Sequence, residues 1–481
     1  MLLKNYRFSP EYSTLVLCFV LIFLNLFFQD SVLGLIVSLP QLIFILVLFL
    51  QNKKASVLFY WHVLFTFTTL AIPFAQIINP GEVKYGLYHY SKLKLVGPIS
   101  VSQIILIAIL LKSGFESKVI RISSELKPIF YLLVYFFLSG FTIGLIGNLF
   151  DDYYINFTLS YSVYTLMLIM YMLIYFIVRD KAFDRRLSEL VIILLLVSPI
   201  VSFVLFMLDV RTLYGVIEIA RATEFSYYSG ILILLYSMFS KCRLLFFVSI
   251  ASYFFLIVNG GMGGKGALIF ILVLSFIMFR YLLSIGNFRN LLSMFMLLVI
   301  IVMGVLFFDY DLVADNFKLA LYKFESLFLL VKAVFEPQNI ALLPNSPKVR
   351  VVEIILIYYD LIEHPFTFVF GNGYGGYFIE RNSLMSTVDL STGFSIEEVV
   401  SGKYSRPHDS FTVIPFMHGL FGVFVFCYTS FVYLRKIPNN PFYFAVIPFL
   451  LLSFYFNHQF GGVGLLLFIT GCIFSSRESD V

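Results

Sequence analysis

Uncharged apolar runs of about 17 to 26 residues recur from Tyr12 onward, each long enough to cross a hydrocarbon core about 30 Å thick at 1.5 Å per helical residue. Only 13% of the 481 residues are charged and 60% are hydrophobic, which excludes an ordinary soluble domain. The expected fold is therefore all-α and polytopic, with about 14 transmembrane helices (about 12 to 14). The runs fall at 12–28, 32–50, 57–78, 95–111, 128–149, 154–178, 187–208, 223–240, 244–258, 266–283, 291–308, 410–434, 441–456 and 462–474. They divide the chain into a helix bundle over 1–308, a large loop over 309–409 and C-terminal spans over 410–481. Lys4 and Arg7 precede the first run without a small-residue cleavage signature, the pattern of a retained signal anchor.

Orientation follows from the short loops, where Lys and Arg favour the cytoplasm. With the N-terminus inside, Lys53, Lys54, the 112–127 and 179–186 loops, Lys241, Arg243, Arg280, Arg289, Arg435 and Lys436 are cytoplasmic. Those segments and the two tails hold most of the 33 Lys and Arg. Both termini then lie in the cytoplasm, and the 309–409 loop faces the opposite side. The net charge of +5 is mostly this topology signal, so no nucleic-acid partner is implied. Cys18, Cys242, Cys427 and Cys472 are scattered in or beside spans, with neither metal spacing nor a disulfide pattern.

The span midplanes carry almost no ionisable side chains beyond His62 and His418, so the relay of buried charges that pumps and proton-coupled carriers keep is missing from the sequence. Charge gathers instead on the extracytoplasmic side, in four clusters. One is "RTLYGVIEIARATEFSYYSG", with Arg211, Glu218, Arg221 and Glu224. A second is the glycine-rich "NGGMGGKGAL" around Lys265. The 309–409 loop is the third, and "KYSRPHDS", with Lys403, Arg406, His408 and Asp409, is the fourth.

The loop has internal order. Phe317, Leu321, Phe324, Phe328 and Val331 follow helical spacing opposite Lys318, Glu325 and Lys332, the pattern of an amphipathic helix on the membrane surface. A second helix over 349–363 carries a polar stripe of Arg350, Glu353 and Asp360, continued by His364. Pro365 ends that helix and leads into "FGNGYGGYF", a glycine-rich turn.

Several signals have plain structural readings. Lys265 lacks the first Gly and the final Ser/Thr of a P-loop, so it marks a tight hairpin or a phosphate contact and no NTPase. Asp309 and Asp311 are a weak metal signal, and the site is read as metal-free and cofactor-free. His418 beside Gly419 suits a hydrogen bond to a neighbouring helix; His62 beside Trp61 suits packing, and His458 a short external turn. Asp409 fits an N-cap with Pro407 at the turn, which leaves Arg406 and His408 at a helix N-terminus without a structural role.

"RPHDSFTVIPFMHGLFGVFVF" resembles the segment that closes the large periplasmic loop of bacterial O-antigen polymerases and O-antigen ligases, with Asp409 where Asn is commoner. "HPFTFVFGNGYGGYF", "NGGMGGKGALIFILV" and "RATEFSYYSGILIL" are similar to three further segments of that family, with Lys265 in place of an arginine. The four occur in the family's order, across roughly residues 205–435.

The resemblance implies a metal-independent glycosyltransferase of the C-type membrane fold in the bacterial inner membrane. Its donor would be an undecaprenyl-diphosphate-linked oligosaccharide, its active site would face the periplasm, and its pathway would supply a chain-length regulator and a flippase. On that reading Arg221, Lys265, Arg350 and Arg406, with Arg211 nearby, clamp the departing diphosphate, because preplaced cations favour the charge that develops on it. His408 takes the acceptor hydroxyl proton, with Glu224 and Glu353 as reserve bases. Tyr374, Tyr377, Phe378 and Tyr404 are candidates to stack on sugar rings. The expected activity is polymerisation of repeat units, with ligation to lipid A-core as the alternative and lipid-linked-sugar export as the alternative from another class.

Overall fold

A computed structural model describes residues 32–67, 89–96, 99–116, 124–151, 153–179, 345–381, 384–385, 396–405, 407 and 410–436, with isolated positions elsewhere. Helices dominate the described residues: α1 Val32–Leu50, α2 Ala55–Phe67, α3 Val101–Glu116, α4 Lys127–Phe150, α5 Ile155–Arg179, α6 Asn345–Glu363, α7 Pro365–Phe370, α8 Ile396–Ser401 and α9 Ser410–Lys436. Three two-stranded antiparallel ribbons complete them: β1 Lys94–Val96 with β2 Ile99–Ser100, β3 Arg211–Thr212 with β4 Gly215–Val216, and β5 Phe378–Ile379 with β6 Lys403–Tyr404. Among the described residues, Val32–Leu50, Lys127–Phe150, Ile155–Ile174 and Thr412–Lys436 are long and apolar enough to cross a membrane. The remaining expected spans, and the amphipathic helix expected around 315–335, lie outside the described residues.

The apolar runs form helices because straight-chain and aromatic side chains satisfy no other partner as well as they satisfy a neighbouring helix or lipid. Exposed stripes confirm that division of faces. Leu138, Leu145 and Leu149 on α4, and Phe421, Phe424, Tyr428 and Phe431 on α9, are open while the opposite faces are buried. In water such stripes would drive aggregation; in lipid they are matched to their solvent.

Two helix starts differ from the sequence expectation. The run expected over 95–111 begins with the β1–β2 hairpin and becomes helical at Val101, because Gly97 and Pro98 punctuate it, and it then continues to Glu116. Pro365 does not simply terminate the second loop helix: α7 starts on it, with proline in the first turn where its missing N–H costs nothing.

The helix ends are tied in register. Glu116 accepts from the Ala55 N–H at 3.1 Å, Lys112 donates to Asn52 at 2.6 Å, and the Tyr433 hydroxyl donates to the Glu125 carbonyl at 2.6 Å. The last bond makes α9 antiparallel to α4, with the end of one beside the start of the other.

Near its middle α9 breaks. Gly419 has φ 61° and ψ −162°, so the regular ladder stops there, and the carbonyls of Phe416 and Met417 lose their helical partners. The backbone N–H groups of Asn372 and Gly373 replace them, at 2.7 and 3.0 Å. The glycine-rich turn after α7 is thereby stitched into the bundle.

Candidate functional site

The 371–376 turn sits deep between α4, α5 and α9. The Tyr374 N–H donates to the Gly140 carbonyl at 2.8 Å, the Thr158 hydroxyl donates to the Tyr374 carbonyl at 2.7 Å, and the Gly375 carbonyl accepts from the Tyr154 N–H at 3.0 Å. Tyr374 pairs its hydroxyl with Thr165 at 2.9 Å. Gly140 and Thr165 each lie about 15 Å from the nearer end of the α4–α5 hairpin, at 1.5 Å per residue. A loop segment thus reaches half-way down two membrane-length helices.

Two glycines of α4 admit it, and a third makes room for Tyr153. A Cβ at Gly140 would strike the Tyr374 ring, one at Gly144 the Tyr374 backbone, and one at Gly147 the Tyr153 ring. Spacings of four and three put these glycines on one helix face, the small-residue signature of close approach in membranes. "SGFTIGLIGN" carried that signal, but the expectation drawn from the sequence did not use it. On the turn itself Gly371, Gly373 and Gly375 have φ of 83°, 68° and 81°, a conformation closed to most side chains.

His418 bonds Ser139 of α4 at 2.9 Å through Nδ1 and stacks on Phe136 at 4.1 Å, the neighbouring-helix contact expected for it. A cavity of about 20 Å³ lies beside it, lined in part by Tyr161, Thr165, Tyr374 and Met417, with room for one water molecule. His62 is buried and packs near Tyr171, ring centroids 6.0 Å apart, as expected.

Above the turn, three separate stretches of sequence converge. Phe378 pairs with Tyr404 and Ile379 with Lys403 in the β5–β6 ribbon. Glu398, buried on α8, accepts from the Ser405 N–H at 3.0 Å and its hydroxyl at 2.8 Å. The "KYSRPHDS" segment is therefore anchored to the end of the glycine-rich turn, one residue before Arg406.

The polar stripe of α6 faces inward. Glu353 is fully buried, Asp360 is 7% exposed, and Arg350 is half-buried one turn before Glu353. Arg381 ion-pairs with Glu363 and lies 3.8 Å from Asp360. Burial raises the Asp360 carboxyl above the ordinary value of 3.8, partly offset by His364 and Arg381. Tyr153 donates to the Asn372 side-chain oxygen at 3.3 Å, and burial with the Asp151 charge pushes its hydroxyl up to about 12.

Of the expected site residues, Arg350 and Glu353 share α6, and Arg211 opens β3, opposite Val216. Arg221, Glu224, Lys265, Arg406 and His408 lie outside the described residues. Three of the four aromatics expected to stack on sugars are instead core: Tyr374 is 3% exposed, and Phe378 and Tyr404 are fully buried, because the turn and ribbon fold inward. Only Tyr377 stays half-exposed. Among the described residues, no three of His, Cys, Asp and Glu gather where they could hold one metal ion.

No protein-family model, curated protein or solved structure matches the chain. A functional reading has to come from the residues and from what they touch.

Proposed function

We propose that the chain is a membrane-embedded glycosyltransferase that polymerises polysaccharide repeat units, moving a glycan from undecaprenyl diphosphate to a lipid-linked acceptor sugar at the periplasmic face of the inner membrane. The observation that carries the reading is the β5–β6 ribbon with its Glu398 clamp. It joins the end of "FGNGYGGYF" to Lys403 and Tyr404, just ahead of "RPHDS", and the family resemblance rests on both of those segments. The inward α6 stripe adds Arg350 and Glu353 to the same loop region.

In this mechanism the anomeric carbon–oxygen bond to diphosphate breaks as the acceptor hydroxyl attacks. Arg221, Lys265, Arg350 and Arg406, with Arg211, receive the charge that grows on the departing oxygens. His408 accepts the hydroxyl proton, because an unperturbed imidazole titrates near neutral pH. Glu224 and Glu353 are held in reserve, and Glu353, fully buried, would need the acceptor to reach into the fold.

The test uses purified protein in nanodiscs with lipid-diphosphate-linked repeat units. Wild type should give a ladder of longer lipid-linked chains, and His408→Ala and Arg221→Ala should each lose at least about a hundredfold in rate, the usual scale for a positioned general base and for a lost charge-stabilising donor respectively. No ladder with authentic substrate would overturn polymerisation, and transfer seen only after adding lipid A-core would establish the ligase instead.

A further inference from the structure

We propose that Tyr153, Tyr154 and Tyr377, with Lys403 beside them, form a carbohydrate-binding platform on which a sugar ring of the glycan stacks. The proposal deepens the reading above and rests on it for which glycan is bound and for where the reacting sugar lies.

The three rings form one cluster at the outer end of the α4–α5 hairpin. Tyr153 and Tyr154 meet Tyr377 edge to face, with centroids 5.7 and 6.2 Å apart. All three side chains are half-exposed. The Lys403 ammonium lies 4.4 Å from the Tyr377 ring centre.

Their hydroxyls reach other segments of the protein. Tyr153 donates to Asn372, Tyr154 to the Lys403 carbonyl at 3.4 Å, and Tyr377 to the Asp151 carbonyl at 3.4 Å. These long contacts and the ring–ring packing restrict the rings before any ligand arrives, which reduces the side-chain freedom lost on binding.

The surroundings select the ligand class. The Lys403 ammonium lies against the Tyr377 ring, and the Asp151 and Asp360 carboxylates act on Tyr153, so charged groups border the aromatic faces. Pyranose rings present C–H faces that pack on aromatic carbon and a rim of hydroxyls that bond to such groups. Position agrees too. Lys403 precedes Arg406 by three residues, a reach of at most about 10 Å, so a ring held here is the reacting sugar or its neighbour.

The experiment places the full chain in nanodiscs with the free oligosaccharide released from the lipid-linked repeat unit by mild acid. Saturation-transfer NMR should show ring protons of one sugar close to the protein, a signal kept by Tyr377→Phe and lost by Tyr377→Ala. In turnover assays Tyr377→Ala and Tyr154→Ala should raise KM for the acceptor about tenfold with little change in kcat, the scale of one lost stacking contact. Tyr428→Ala, on the lipid-facing side of α9, should change neither readout and controls for folding. No saturation transfer to wild type, or unchanged transfer and KM in both alanine variants, would overturn the platform while leaving glycan transfer intact. Tyr377-dependent binding by a chain that never transfers glycan would uphold the platform and overturn the polymerase.

Discussion

Replacing Gly144 by Ala tests whether the glycine-rich turn is seated against α4 as described. The added methyl would lie far inside van der Waals contact with the Tyr374 carbonyl oxygen, and its other neighbours there are also backbone atoms, which cannot rotate away. The turn must therefore shift outward. That shift strains or breaks the Tyr374 N–H bond to Gly140 at 2.8 Å and the Thr158 bond to the Tyr374 carbonyl at 2.7 Å. Two such bonds are worth about 1 kcal/mol each, and overpacking a tight contact costs about 1 to 3 kcal/mol, for a loss of about 3 to 5 kcal/mol. The same substitution at Gly114 of α3, where nothing lies within 4 Å, should be neutral or stabilise by up to about 1 kcal/mol from helix propensity alone. Unfolding of both variants in detergent, followed by fluorescence-detected size exclusion, measures the difference. Equal stability of Gly144→Ala and Gly114→Ala would refute the seating of the turn.

The folded state holds the Asp360 carboxyl above 3.8, so the folded chain keeps a proton the unfolded chain has released, and stability falls as pH rises through that window. Asp360→Asn should accordingly be more stable than wild type at neutral pH and lose the advantage as pH drops to 3.8 and below; thermal unfolding across that range shows it, and a pH-independent difference would count against the buried carboxylate. Ser405→Ala removes one of two bonds to Glu398 and should cost about 1.5 to 3 kcal/mol, with slower glycan transfer because the next residues are Arg406 to His408. Unchanged turnover in that variant would detach the Glu398 clamp from function.

Among the described residues, four of the expected spans were legible locally. The expected spans 32–50, 128–149, 154–178 and 410–434 meet helices at Val32–Leu50, Lys127–Phe150, Ile155–Arg179 and Ser410–Lys436. An apolar run long enough to cross a bilayer has its backbone bonds within itself, so its extent is written in the run and needs no partner. The contact of His418 with another helix was readable too, since a polar group at that depth gains by bonding a neighbouring helix.

Contacts between distant segments were decided by tertiary structure alone. Nothing local says that Phe378 and Ile379 pair with Tyr404 and Lys403, or that Gly419 frees two carbonyls for the N–H groups of Asn372 and Gly373. That choice buries Tyr374, Phe378 and Tyr404 and leaves Tyr377 open beside Tyr153 and Tyr154. Tyrosines of similar sequence context thus part ways because burial depends on which other helices close over a residue, and that is fixed only when the turn finds its glycine-lined seat on α4.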